Sequence, residues 1–112
     1  YYNANPSSVL VAIDNLASIP ANKKVMILGD MFELGDEASN EHQAILGKAR
    51  TTEADRRIFI GSEFFKLKTP ADDFYSSTQE AYDALKANPI VNSTVLIKGS
   101  RGMKLEQLVE LF

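Results

Sequence analysis

VMILGD, residues 25–30, is a run of four apolar side chains closed by a glycine and an aspartate. The same plan recurs in RIFIGS at 57–62 and VLIKGS at 95–100, where mostly apolar residues again lead to Gly and then a small polar residue. Runs of this length without apolar–polar alternation are the mark of strands buried on both faces. The glycines stand at 29, 61 and 99, which leaves room for one crossover between successive runs. The pattern predicts a parallel sheet built from βαβ units and not an internal repeat.

The segments around these runs carry helical spacing. Val9, Leu10, Ile13, Leu16 and Ala17 follow Pro6 and two serines, and proline is well tolerated in a first helical turn. A second helix over about 39–50 puts His42, Ile45, Leu46 and Ala49 on one face. Ser77-Thr78-Gln79-Glu80 reads as a capping box that opens a third, with Ala81, Tyr82, Ala84 and Leu85 inward, and Asn88-Pro89 ends it. The last covers roughly 103–111, with Leu105, Leu108, Val109 and Phe112 inward. Between 63 and 76 a short helix around Phe64, Phe65 and Leu67 and a short strand at Asp73-Phe74-Tyr75 are expected. The expected class is α/β: a small Rossmann-like three-layer sandwich, a mostly parallel sheet with helices on both faces, forming one domain over 1–112. The first helix has no strand in front of it, so a further strand is expected upstream of Tyr1.

Composition narrows the function. The 112 residues are 45% hydrophobic and 24% charged, as in an ordinary globular domain. Net charge is −3 and basic residues cluster only as Lys23-Lys24 and Arg56-Arg57, a poor footprint for nucleic acid or an anionic membrane. There is no cysteine for a disulfide or thiolate site, and no apolar run long enough to insert in a membrane.

In open α/β sheets, ligands bind beyond the carboxyl ends of the strands. That edge gathers Gly29-Asp30, Gly61-Ser62 and Lys98-Gly99-Ser100-Arg101. KGSRG at 98–102 sets two cations and a hydroxyl between glycines, which suits an anion; the alternative is a turn with solvated cations. Asp30 could bind a cation or position a basic group, or close its own loop in an Asx-turn with Met31, Phe32 and Leu34 packed as a lid over the core. His42, the one histidine, is either a hydrogen-bonded core residue or a base for Ser62 or Ser100; alone it builds no metal site. Neither a G-x-x-x-x-G-K-[ST] phosphate loop nor a G-x-G-x-x-G turn occurs.

YNANPSS at 2–8, LGDMFELG at 28–35 followed by His42, and LIKGSRGM at 96–103 together resemble the C-terminal domain of the Mur ligases. The resemblance spans nearly the whole chain. It implies the last domain of a three-domain, cytoplasmic bacterial ligase of peptidoglycan synthesis, using ATP and Mg2+ held mainly by a central domain, with the UDP-sugar held by an N-terminal one. In that family a carboxylate of the UDP-linked substrate attacks the γ-phosphate of ATP, and the acyl phosphate is taken by an amine. Relatives with other acceptors have a histidine where this chain has Asn3, which favours a member joining D-alanyl-D-alanine to UDP-N-acetylmuramoyl-tripeptide.

Carried over by motif, Asn3, Asn5, Ser7, Lys98, Ser100 and Arg101 would bind the acceptor, with Arg101 or Lys98 on its carboxylate. Tyr2, Asn3 and Asn5 would lie near the nucleotide, and Asp30 and His42 would support the site. Family members carry an acidic residue two places before the tyrosine of YNANP, a position that falls before Tyr1. The domain alone is expected to be inert. Two alternatives remain at this stage: a relative with another acceptor, such as a folylpolyglutamate synthase, and a non-catalytic anion-binding module.

Overall fold

Four strands, β1 (Lys24–Gly29), β2 (Arg56–Ile60), β3 (Asp73–Tyr75) and β4 (Thr94–Lys98), form one all-parallel sheet in the order β3-β2-β1-β4. The structure is a computed structural model and describes residues 4–112. The register sets Ile27 between Ile58 and Ile97, and Leu28 between Phe59 and Lys98. Because side chains alternate along a strand, Met26, Leu28 and Phe59 enter one core while Val25, Ile27, Ile58 and Ile60 enter the other. Both layers are apolar, which explains why the runs show no alternation.

The first core is covered by α1 (Pro6–Ser18), α2 (Ala38–Thr51) and α3 (Ser62–Phe65), through Val9, Ile13, Leu16, Ile45, Leu46, Ala49 and Phe64. The second is covered by α4 (Thr78–Ala87) and a terminal 3₁₀ helix, Leu105–Leu111, through Ala81, Leu85, Leu105 and Leu108. From β1 the chain steps outward to β2 and β3, then returns past β1 to β4. A crossover that reverses direction keeps its right hand only on the opposite face, which is where α4 lies.

The helix ends follow local chemistry. Asn5 is the N-cap of α1: its Oδ1 accepts the Ser8 N–H at 2.9 Å while its own N–H donates to Ser8 Oγ at 3.1 Å. At the other end of the domain the Arg57 guanidinium donates to the carbonyls of Ala49 and Thr52, satisfying the last turn of α2. Ser77 caps α4 as expected, accepting from Glu80 N–H at 3.1 Å. The Glu80 carboxylate, however, accepts from the Ser76 N–H and hydroxyl and not from Ser77, so the box is shifted by one residue.

The expected last α-helix is two 3₁₀ pieces, Arg101–Met103 and Leu105–Leu111, separated by Lys104 in a left-handed conformation (φ +55°). A period of three residues aligns Leu105, Leu108 and Leu111 on one ridge. Val109 and Phe112, which a period of 3.6 turns inward, are instead 47% and 48% exposed. Ala17 of α1 is likewise exposed.

Leu105 is the plug of the ligand edge. A Cβ on Gly29 or Gly99 would lie 2.8 or 2.7 Å from its Cδ1, so the two strand ends close on this side chain because both lack one. Leu105→Ala should therefore lower the unfolding free energy by about 2–5 kcal/mol, measured by urea denaturation of the chain. A loss well under 1 kcal/mol would show that the site collapses freely.

Candidate functional site

The reversal of strand order between β1 and β4 opens a crevice at the carboxyl edge of the sheet, and the residues that leave β1 are anchored one by one. The N–H of Asp30 donates to Ile60 O at 2.9 Å, that of Met31 to His42 Nε2 at 3.0 Å, and that of Phe32 to Ser100 Oγ at 2.8 Å. In return the Ser100 N–H donates to Asp30 O at 3.0 Å. Three consecutive amides are thus tied to β2, to α2 and to the loop after β4.

The Asp30 carboxylate is 3% exposed and accepts the N–H groups of Glu63 at 2.9 Å and Phe64 at 3.1 Å, with the Ser62 hydroxyl at 3.5 Å. It therefore caps α3 from another strand, in place of the expected Asx-turn in its own loop. The residue before α3 has no side chain to do this: it is Gly61, at φ +122°, where a Cβ would lie 2.2 Å from Asp30 Cγ. The glycine supplies both a backbone conformation that L-residues avoid and the space the carboxylate fills.

His42 is fully buried. Its Nδ1 lies 2.6 Å from Ala38 O and its Nε2 accepts from Met31, which assigns the ring proton to Nδ1. Nε2 is 3.8 Å from Asp30 Oδ1, but with its lone pair committed to Met31 this is no ion pair. The ring packs edge-on against Phe64 at 4.7 Å between centroids. A base for Ser62 or Ser100 is therefore not assembled: Ser62 reaches Asp30, and the 2%-exposed Ser100 receives Phe32.

The other expected binding residues lie further out. Asn5, Ser7 and Lys98 line one open concavity of about 560 Å3 with Val11 and Asn15, where the start of α1 passes the end of β4. Arg101 is exposed and opens the 3₁₀ piece directly after buried Ser100. Tyr2 and Asn3 lie outside the described residues. Among the described residues no group of three or more His, Asp or Glu side chains could hold a metal ion, and no helix is long and apolar enough to cross a membrane.

Sequence reasoning missed a second concavity at the same edge, about 410 Å3, bounded by Phe32, Ser62, Ser77, Gly102, Lys104 and Gln107. Phe32 is not part of a lid over the core: Met31 is buried, but Phe32 is 44% exposed. Gly102, directly after Arg101, carried the available signal, because a Cβ there would lie 2.5 Å from Phe32 Cε2.

Removing the Asp30 carboxylate orphans two amides, each costing about 1–3 kcal/mol when buried without a partner. Asp30→Ala should lower stability by that order in denaturant unfolding and speed hydrogen exchange at Glu63 and Phe64; unchanged exchange there would remove Asp30 as the cap.

The family model for the Mur ligase, glutamate ligase domain, matches residues 1–101. The UDP-N-acetylmuramoyl-tripeptide–D-alanyl-D-alanine ligases of Treponema pallidum and Bacillus subtilis are 36% and 32% identical to the chain, over 98% and 97% of its length and 26% of theirs. A crystal structure of MurF from Acinetobacter baumannii superimposes with a TM-score of 0.79 at 27% identity, covering 97% of this chain and 25% of that one. The chain thus spans about a quarter of the length of the relatives it matches. Motifs, topology and relatives converge: the chain belongs to the family of Mur ligase glutamate ligase domains.

Proposed function

We propose that the chain is the C-terminal, acceptor-binding domain of an ATP-dependent ligase that joins D-alanyl-D-alanine to UDP-N-acetylmuramoyl-tripeptide. The observation that carries this is the match along 98% of the chain, at 36% identity, to a relative of that name. The enzyme would be bacterial and cytoplasmic, serving peptidoglycan synthesis and with it cell shape, the cell cycle and division. In the reaction the tripeptide carboxylate takes the γ-phosphoryl group of ATP, releasing ADP. The dipeptide amine then displaces phosphate from the acyl phosphate, loses a proton and forms the amide.

This chain's share would be binding and orientation. Lys98 and Arg101 supply positive charge for the dipeptide carboxylate, arginine being suited to a paired grip. Asn5 and Ser7 line the same concavity as Lys98, and Asn5 retains its Nδ2 for a ligand because the cap uses Oδ1. Ser100, buried against Phe32 N–H, would act chiefly by fixing the loop that carries Arg101. By the family motif alone, Tyr2 and Asn3 would serve the nucleotide. Asp30 and His42 would brace this edge through their hydrogen bonds to backbone groups. ATP phosphates and Mg2+ would be gripped by other domains of the same protein, since the chain has no phosphate loop.

The full-length protein should release phosphate with D-alanyl-D-alanine in preference to single amino acids or glutamate. Arg101→Ala in it should lower kcat/KM for the dipeptide by about 10- to 1000-fold, as expected for a lost charge-assisted pair. Unchanged acceptor kinetics would remove Arg101 from the site, and a preference for glutamate would assign the domain to a relative with another acceptor.

A further inference from the structure

Phe32 stands at the rim of the second concavity, and it is held there. Its N–H is tied to buried Ser100, the two residues before it are buried, and Glu33 after it turns away in a left-handed conformation (φ +64°). Its ring rests on Gly102, where any side chain would collide with it. A single exposed aromatic residue needs no explanation, but an exposed ring fixed on its backbone and from below is a shaped surface. Met103 adds a second apolar wall, and Ser62, Ser77, Lys104 and Gln107 are the polar ones. Apolar walls with a few placed polar groups are the usual make-up of a small-ligand site.

We infer that Phe32 is a specificity-determining residue, an apolar wall for the methyl side chains of the acceptor. This role presupposes the dipeptide-ligase function proposed above. Arg101 directly precedes Gly102 in the chain, so the charge proposed to grip the acceptor carboxylate is carried on the same short segment on which the ring rests. The ring excludes water from the methyl groups, and a dipeptide without them gains nothing from it.

The test is steady-state phosphate release by the full-length protein with D-alanyl-D-alanine and with glycylglycine, which lacks both methyl groups. Phe32→Ala should lower kcat/KM for D-alanyl-D-alanine by about 10- to 200-fold, the range for small apolar contacts in a pocket. It should leave KM for ATP and the weak reaction with glycylglycine nearly unchanged, so that discrimination between the acceptors collapses. Phe32→Leu, which keeps an apolar wall, should retain most of the discrimination. Equal losses with both acceptors, or a raised KM for ATP, would overturn the inference and make Phe32 a brace or an interdomain contact. So would discrimination unchanged in Phe32→Ala. Wild-type protein that releases no phosphate in response to either dipeptide would instead sink the ligase proposal, and this role with it.

Discussion

The carboxylate of Asp30, taken out of water and satisfied by the amides of Glu63 and Phe64, is the interaction around which the ligand edge is organised. A buried carboxylate is tolerable only when its oxygens find donors. Here the donors are the orphan N–H groups of a helix too short to cap itself. Gly61 must then be a glycine, because the carboxylate occupies the space of its side chain. With β1 fixed to β2 and α3 in this way, Met31 meets His42 and Phe32 meets Ser100. The loop bearing Arg101 is thereby joined to the centre of the sheet.

His42 and Asp30, titratable and close together, invite a catalytic reading that their hydrogen bonds do not support. Each spends its capacity on backbone groups. Ser7 and Arg101, both exposed, and half-buried Lys98 are long or small polar side chains.

The sheet was legible in the sequence because the two central strands are buried on both faces, the edge strand β4 is as apolar as they are, and the chain has no other runs like VMILG, RIFIG and VLIKG. Helix starts were legible where the cap is local, at Asn5 and Ser77. The role of Asp30 was not, because its partners lie 33 and 34 residues away and nothing in either segment marks the pairing. Val109 and Phe112 were misplaced because Leu105, Leu108 and Leu111 satisfy a period of three as well as one of 3.6, and the left-handed Lys104 settles it in favour of the tighter helix. Phe32 was read by its apolarity as part of a lid over the core with Met31 and Leu34, although only Met31 and Leu34 pack against that core.

The anchoring of residues 30–32 to three separate elements also bears on how the domain moves. A segment held by one neighbour can peel away alone, at a fraction of the global free energy. This one cannot, since releasing it breaks contacts to β2, α2 and the loop after β4 together. The floor of this edge therefore opens only together with its neighbours. A ligand arriving there meets a surface already ordered, and the entropy of association is spent on the ligand and the outer side chains alone.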